Sequence, residues 1–338
     1  MRISLLFLIL IFFLGCQSDP LVKNQNIGNA LGTTYAITYI ADEELDFQKE
    51  IDSVFQAVNQ SMSTYITNSD ISKINEGDST VVVDKMFEEV FKLSKKVHEK
   101  TSGYFDPTVG VLVNAWGFGP GQQIVLDSTK VDSLLEFVGW KKVHLNAEGT
   151  IAKSHPAIRF DFNAVAKGYA IDRLGAMLDE KGIKNYLVEV GGEVLAKGTN
   201  LVSEKRWTVG IDDPQVVQGR KLKLAIALKD KALASSGNYR KFRVDTVTGK
   251  KYVHTIDPKT GYTKNSNVLA TSVVANDCAT ADAYATAFMA MDLDESIKLL
   301  VKQEELSAYI IYLDTEGETQ EFMTPGFEAL VVDSIIEN

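Results

Sequence analysis

Cysteine is scarce in this 338-residue chain, which contains Cys16 and Cys278 and no others. Two cysteines cannot staple a disulfide scaffold, so stability has to come from an ordinary core, for which 45% hydrophobic residues suffice. Positive charge is also in deficit, because 35 Lys and Arg face 45 Asp and Glu, giving a formal net charge of −10. Acidic proteins are poor candidates for binding nucleic acid or anionic lipid surfaces. A phosphate-bearing ligand would therefore need local support from a metal ion or from backbone N–H groups.

Long apolar runs, internal repeats and a dinucleotide-binding motif are missing as well. The apolar stretch over residues 3–14 is too short to span a membrane. No repeat, low-complexity segment or long linker divides the chain. Gly191 and Gly192 lack the Gly-x-Gly-x-x-Gly spacing, and no helical pattern follows them, which excludes a dinucleotide-binding βαβ unit there.

The first residues have the pattern of an export signal. Arg2 precedes the apolar stretch, and Leu14-Gly15-Cys16 follows it at once. This arrangement resembles a bacterial lipoprotein signal, which implies cleavage before Cys16 and lipidation of its thiol. The alternative is an ordinary signal peptide with an incidental cysteine.

These features predict the organisation and the address of the chain. We expect a signal peptide over residues 1–15, a polar tether over residues 16–27 and a single domain over residues 28–338. The mature protein is expected to be exported and to face the periplasm or the cell exterior, held at a membrane by its lipid alone. Lipidation of Cys16 would leave Cys278 as the remaining thiol, which excludes an internal disulfide.

The rest of the chain alternates short strands with helices. Residues 28–39 alternate at the period of a half-buried strand, and residues 44–62 have the apolar spacing of an amphipathic helix. Another helix is predicted over about residues 85–100, with Gly103 after its end, and a short strand over residues 159–162. Closely spaced strands are predicted over residues 206–211, 222–228 and 231–235. Strands that follow one another directly, beside helices, predict an α+β fold with mixed, largely antiparallel sheets flanked by helices.

One strand-to-helix unit near the C-terminus carries two oxygen ligands suited to a hard cation. The β-branched run of residues 271–275 predicts a strand, and a helix is predicted to start near Thr280. Asp282 and Thr286 are four residues apart, hence one turn apart on one face, with Asp282 expected in the first turn. Carboxylate, hydroxyl and carbonyl oxygens are ligands that Mg²⁺ accepts, often with substrate phosphates. The alternative is a capping aspartate on a closely packed helix.

Several stretches together resemble the ApbE-type FAD:protein FMN transferases, in order over about residues 28–325. They are Ala30-Leu-Gly-Thr-Thr-Tyr35, Met62-Ser-Thr-Tyr65, Gly103-Tyr-Phe-Asp-Pro-Thr108, Trp116-Gly-Phe118, residues 161–172, Glu189-Val-Gly-Gly-Glu193, Ser236-Gly-Asn-Tyr239, His254-Thr-Ile-Asp257 with its Pro-Lys-Thr-Gly261, and Ala281-Asp-Ala-Tyr-Ala-Thr286. The resemblance implies the ApbE-like fold and Mg²⁺-dependent transfer of FMN from FAD to a Thr or Ser hydroxyl of a partner flavoprotein, with release of AMP. The acceptor implied is a subunit of a membrane redox complex with a Ser/Thr-Gly-Ala-Thr type of motif.

The resemblance also implies roles for individual residues. Asp282, Thr286 and the main-chain carbonyl of Ala166 correspond to the metal ligands, and Asp282 and His254 are the expected catalytic residues. His254 is expected to take the proton of the acceptor hydroxyl, for which imidazole is suited near neutral pH, although a lone histidine is often structural. The implied residues for binding FAD are Leu31, Ser63, Thr64, Tyr65, Tyr104, Asp106, Trp116, Lys167, Gly168, Asp172, Glu189, Gly191, Gly192, Ser236, Gly237, His254 and Asp257.

Two other functions use the same features. An FAD pyrophosphatase would use the same site with water as the acceptor, giving FMN and AMP. A non-catalytic exported lipoprotein would bind FAD without turnover. Mg²⁺-dependent release of AMP and covalent labelling of an acceptor separate these possibilities.

Overall fold

Residues 21–216, 221–237, 242–244, 251–253, 255–264 and 266–332 are described by the computed structural model. The strands are β1 Val22–Ala30, β2 Thr33–Ala41, β3 Val143–Leu145, β4 Ile151–Lys153, β5 Tyr186–Val190, β6 Glu193–Lys197, β7 Trp207–Asp212, β8 Leu222–Leu228, β9 Lys231–Gly237, β10 Phe242–Val244, β11 Lys251–Val253, β12 Val268–Ala275, β13 Ser307–Leu313, β14 Thr319–Met323 and β15 Val331–Val332. The α-helices are α1 Gln48–Met62, α2 Asp70–Asn75, α3 Lys85–Lys100, α4 Gly110–Ala115, α5 Ser128–Leu135, α6 Ala166–Glu180, α7 Cys278–Ala290, α8 Leu293–Leu300 and α9 Pro325–Glu328, with a short 3₁₀ helix at Trp140–Lys142.

An antiparallel sheet forms the centre of the fold. Within the described ranges its strand order is β1-β2-β5-β6-β9-β12-β13-β14, and each neighbouring pair is antiparallel. A smaller antiparallel sheet has the order β15-β8-β7. The predicted α+β class with largely antiparallel sheets is therefore confirmed.

The middle of the large sheet is buried on both faces. On β12, Val273 packs with the helical layer, whereas the next residue, Val274, packs with Trp207 and Ile226 of the smaller sheet. Neighbouring residues of a strand point to opposite faces, so two layers cover this strand. Helix α7 packs against β9, β12, α3 and α6, and its Ala-rich surface is buried nearly all round. A helix that is apolar on every side belongs in such an interior position.

The N-terminal strand corrects the predicted tether. Residues 22–27, predicted to be tether, form most of β1, which pairs with the whole of β2. Asn24 and Asn26 are buried in this strand because their amides have partners. Asn24 donates to the carbonyl oxygen of Glu43 at 3.0 Å and accepts from the N–H of Leu45 at 2.9 Å. Polar side chains that are fully hydrogen-bonded can be buried, so their polarity did not mark a tether.

The strand predicted over residues 159–162 is also wrong. Only Arg159 makes a strand-like bridge, to Val109, and the residues after it are irregular. The side chain of Asn75 pairs with Phe160 instead, donating to its carbonyl at 2.9 Å and accepting from its N–H at 2.7 Å. A side-chain amide therefore takes the place of a neighbouring strand. Among the described residues, no helix is long and apolar enough to cross a membrane.

Candidate active site

Helices α6 and α7 meet at Gly168, in the third position of α6. The N–H of Gly168 donates to Asp282 Oδ2 at 3.1 Å. The N-cap residue of α6, Val165, has no side-chain cap, so Asp282 satisfies an N–H group at the helix start from another helix. A Cβ at Gly168 would lie 2.4 Å from the carbonyl oxygen of Cys278. The close approach of the two backbones therefore requires glycine here.

Asp172 makes the converse contact from α6 to α7. Its two carboxylate oxygens accept from the N–H groups of Cys278 at 2.7 Å and Ala279 at 2.8 Å. The N-cap residue Asp277 accepts from the N–H of Thr280 at 2.8 Å. Carboxylates thus satisfy the first three N–H groups of α7. Asp172 of α6 accepts from two of them, and Asp277 accepts from the third. Burial raises the pKa of Asp172 to about 7, although the two N–H donors act to lower it.

The position of Asp282 corrects its predicted place in the helix. The helix begins at Cys278 rather than near Thr280, so Asp282 lies in the second turn and not in the first. Its charge faces the N-terminus of α6 instead of that of its own helix. The favourable dipole therefore comes from α6, which spacing along one helix could not indicate.

Lys167 and Glu193 are in direct contact beside this crossing. Lys167 Nζ lies 2.5 Å from Glu193 Oε2, so the ammonium is the partner of this buried oxygen. Burial, and then the charge of Asp282, raise the pKa of Glu193 to about 8, against the lowering by Lys167. Burial acts to lower the pKa of Lys167, but the charges of Glu193 and Asp282 outweigh it and the net shift is upward.

Glu193 is a site residue that the sequence analysis missed. It belongs to the Glu189-Val-Gly-Gly-Glu193 motif, in which Glu189, Gly191 and Gly192 were predicted to bind FAD and Glu193 was not. A lone glutamate in a strand is ordinarily exposed, whereas Glu193 is 4% exposed. One sequence feature could have indicated it: Glu193 comes directly after Gly191 and Gly192, at the first position of the strand that they introduce.

The oxygen atoms at the crossing fit a hard cation. Asp282 is buried, and this burial raises the pKa of its carboxyl, against the lowering by Lys167 and Gly168. Thr286 lies one turn further along α7, with its Oγ1 3.4 Å from Ser236 Oγ. A second buried carboxyl group, Glu193, lies beside Asp282 and contacts Lys167. A divalent cation would stabilise ionised carboxylates at this buried crossing, and carboxylate, hydroxyl and carbonyl oxygens are its preferred donors.

The metal set does not contain a cluster of acidic ligands. Among the described residues, no group of three or more His, Cys, Asp or Glu is arranged to hold a metal ion. The candidate ligands are one carboxylate, one hydroxyl and the carbonyl of Ala166, the first residue of α6. A partly filled shell of this kind is normally completed by water or by substrate phosphates.

The turn between β1 and β2 contains Leu31, which lies beside two groups of buried hydrophobic residues in the core. Leu31 has φ 51° and is followed by Gly32 with φ 74°, the left-handed pair typical of a tight hairpin. The side chain of Leu31 is half-buried and packs against both groups of core residues. A positive φ is rare for a bulky residue, and such backbone occurs at functional sites.

The loop after α1 supplies an unpaired polar atom. Thr64 Oγ1 is buried and has no hydrogen-bond partner within the described residues. Ser63 is the C-cap residue of α1, and its carbonyl accepts from Ser69 Oγ at 2.7 Å. Tyr65 is 61% exposed. The loop therefore offers a hydroxyl and an exposed aromatic ring for a ligand.

Trp116 and the turn after Asp257 are brought together from distant parts of the chain. Trp116 Nε1 donates to the carbonyl oxygen of Gly261 at 2.8 Å. Asp257 holds that turn, since its Oδ1 accepts from the N–H of Lys259 and its carbonyl accepts from the N–H of Gly261. Lys259 Nζ lies 3.5 Å from the centroid of the Tyr104 ring. Burial, and then Glu295, raise the pKa of Tyr104 to about 12, so its hydroxyl stays protonated.

The β5–β6 hairpin is a tight two-glycine turn. Gly191 and Gly192 have φ 61° and 100°. The N–H of Gly192 donates to Glu189 Oε1 at 2.6 Å, and the N–H of Gly191 donates to the carbonyl of Thr34 at 3.0 Å. Glu189 therefore holds the turn that leads directly into Glu193.

Among the residues predicted for the site, Asp106 is hydrogen-bonded within its own loop, and others lie outside the described residues. Asp106 is buried and accepts from the N–H and hydroxyl of Thr108 and from the N–H of Trp140, so its carboxylate organises its own loop. Gly237 is the last residue of β9, next to Ser236. Cys16 and His254 lie outside the described residues.

Known proteins resemble this chain over most of its length. The sequence profile described as the ApbE family matches residues 31–310. The chain belongs to the ApbE family. An FAD:protein FMN transferase from Vibrio cholerae is 33% identical over 328 residues, covering 94% of this chain and 96% of that protein. An FAD:protein FMN transferase from Haemophilus influenzae is 31% identical over 316 residues, covering 89% and 90%.

Solved structures of the family have the same fold. The flavin transferase ApbE from Vibrio cholerae has a TM-score of 0.81 and 31% identity to this chain, covering 92% of this chain and 100% of that one. The ApbE protein from Thermotoga maritima has a TM-score of 0.80 and 27% identity, with coverage of 92% and 100%. The resemblance stated from the motifs, and the ApbE-like fold expected from it, are confirmed.

Proposed function

We propose that this protein transfers FMN from FAD to a Thr or Ser hydroxyl of a partner flavoprotein and releases AMP. Family membership and the names of relatives that match almost their full length support this function. The observation that carries the proposal within this chain is the buried Asp282 carboxylate, oriented by the N–H of Gly168 beside the Lys167–Glu193 pair. That arrangement brings together the ammonium of Lys167, the carboxylate of Asp282 as a metal ligand, and the N-terminus of α6. Cleavage of a pyrophosphate needs such groups to offset the charge of the phosphate oxygens.

Each residue at the crossing has a role in this reaction. Mg²⁺ bound by Asp282, Thr286 and the Ala166 carbonyl would neutralise charge on the pyrophosphate. Lys167 would bind a phosphate oxygen, for which its ammonium is suited as a point charge. Glu193 would hold Lys167 in place through the contact of its carboxyl group with the ammonium. Thr64 and the exposed Tyr65 would contact the nucleotide with a hydroxyl and an aromatic ring.

Proton removal from the acceptor hydroxyl is assigned to His254. This assignment rests on the resemblance and on the suitability of imidazole as a base. His254→Ala should lower transfer by about 10²–10⁴-fold while FAD affinity stays nearly unchanged. Loss of FAD affinity with an unchanged rate at saturating FAD would make it a binding residue instead.

Product analysis tests the function directly. The protein is incubated with FAD, with Mg²⁺ or EDTA, and with or without a flavoprotein fragment that carries a Ser-Gly-Ala-Thr sequence. We expect AMP and a fragment heavier by one FMN moiety, both dependent on Mg²⁺. AMP with free FMN and no labelled fragment would indicate a pyrophosphatase, and bound FAD without AMP would indicate a binding protein.

We further propose that the mature protein is exported and anchored by a lipid on Cys16. The signal-like residues 1–15 and the position of Cys16 support this address. The acceptor is then expected on the same side of the membrane, in a membrane redox complex. Cys16→Ser should release the protein from membranes or block its processing. A Cys16→Ser protein that still fractionates with membranes at the processed mass would contradict the anchor.

A further inference from the structure

The N-terminus of α7 depends on a residue of α6 that lies outside the candidate metal set. Asp172 uses both carboxylate oxygens on the N–H groups of Cys278 and Ala279. These groups belong to the first turn of the helix that carries Asp282. Asp172 therefore fixes the start of α7 against the middle of α6.

The opposite connection is made by the candidate metal ligand itself. Asp282 accepts from the N–H of Gly168, so each helix supplies a carboxylate to N-terminal N–H groups of the other. Gly168 of one connection also lies against the backbone of Cys278 of the other, with no room for a Cβ. The two reciprocal connections and this close backbone contact together fix how the start of α7 lies against α6.

We propose that Asp172 is a positioning residue, not a contact to FAD, and that it sets where α7 presents the oxygens of Asp282 and Thr286. This inference rests on the proposed Mg²⁺-dependent function. Without Asp172, two N–H groups at the start of α7 lose their acceptors, and the start of α7 is held to α6 by hydrogen bonding only through Gly168. The Ala166 carbonyl lies on α6 and the other two ligands lie on α7, so a small shift of the start of α7 relative to α6 changes the distances between them.

A matched control is available on the same helix. Asp277 caps the third N–H of α7 through Thr280, but it belongs to the chain just before α7 and does not connect it to α6. Asp277→Ala therefore removes a carboxylate cap from the same helix end. It leaves the connection between the two helices in place.

The test measures metal binding, not turnover. Mn²⁺, as a paramagnetic substitute for Mg²⁺, is titrated into the FAD-loaded protein and followed by electron paramagnetic resonance, with thermal unfolding measured in parallel. Asp172→Ala should weaken Mn²⁺ binding by about 10-fold or more, as for residues that orient a metal ligand, while Asp277→Ala should change it by less than about 2-fold. Asp172→Asn keeps one acceptor oxygen and should lie between the parent and Asp172→Ala, and it serves alone if Asp172→Ala does not fold.

The outcomes separate this inference from the function on which it rests. Equal weakening of Mn²⁺ binding by Asp172→Ala and Asp277→Ala would mean general loosening of α7 and would overturn the positioning role. Unchanged binding in both Asp172 variants would overturn it as well. In either case a parent protein that binds Mn²⁺ keeps the proposed metal function. A parent that binds no Mn²⁺ in the presence of FAD would overturn both.

Discussion

Asp282 and Gly168, 114 residues apart in sequence, are joined by a hydrogen bond of 3.1 Å from the Gly168 N–H to the Asp282 carboxylate. The candidate metal ligand is therefore oriented by the backbone of another helix, which cannot change rotamer. The proposed metal site would thus be pre-organised, because its candidate anionic ligand is held before any cation or substrate arrives.

Asp282 should matter more to Mg²⁺ than Thr286 does. Asp282 is the one carboxylate in the candidate ligand set, and Thr286 contributes a neutral oxygen. Asp282→Ala should raise the Mg²⁺ concentration needed for half-maximal AMP release by more than about 100-fold. This exceeds the effect expected from losing a residue that only orients a metal ligand. Thr286→Ala should raise it by roughly 10-fold and be rescued by excess Mg²⁺. AMP release measured against Mg²⁺ concentration decides this, and an unaltered dependence in Asp282→Ala would remove α7 from the mechanism.

A methyl group at Gly168 should displace α7. The new Cβ would meet backbone atoms of Cys278 and Ala279, which cannot move without moving the helix. We expect Gly168→Ala to lower the free energy of unfolding by about 1 to 3 kcal/mol and to weaken Mg²⁺ binding. Gly175→Ala is the control on the same helix, since its Cβ meets chiefly side-chain atoms of Leu195 and Tyr186, which can shift. Denaturant unfolding in which the two variants are equally stable would contradict the backbone clash.

Glu193 should give the metal-free protein a pH-dependent stability. Its pKa in the folded protein is about 8, above the ordinary 4.5, so between these values the folded protein keeps a proton that the unfolded chain has released. The stability from this group is present at low pH and is lost as pH rises towards about 8. Glu193→Gln should flatten the fall in unfolding free energy from pH 5 to 8, measured in EDTA. Glu189→Gln, in the adjoining hairpin, is the control, and equal slopes in the parent and Glu193→Gln would contradict the prediction.

Asn24 should stabilise the N-terminal strand. Its amide pairs with the carbonyl of Glu43 and the N–H of Leu45, and the substitution Asn24→Ala leaves both backbone groups without these partners. The expected loss is about 1 to 2 kcal/mol in the free energy of unfolding. Gln25→Ala, at an exposed position of the same strand, should change it by less than about 0.5 kcal/mol. If both variants unfold at the same denaturant concentration, β1 does not depend on this buried amide.

Local sequence patterns determined several elements of this protein. The helix predicted over about residues 85–100 is confirmed as α3, and the glycine at position 103, just after its end, was a local sign of where it stops. The α+β class followed from the order of short strands and helices. The spacing of Asp282 and Thr286 and the ordered motifs were enough to indicate the family and the kind of chemistry.

Tertiary structure decided the partners of the polar side chains. Asn24 appeared to belong to a tether, and residues 159–162 to a strand, until partners at residues 43–45 and 75 were in place. Asp282 was assigned to the dipole of its own helix, whereas its carboxylate faces α6, and Glu193 was passed over. A hydrophobic pattern reports burial along one element, which is a local property of the sequence. The cost of burying a polar group depends on the acceptor or donor that the fold brings to it from elsewhere, and no local pattern contains that partner.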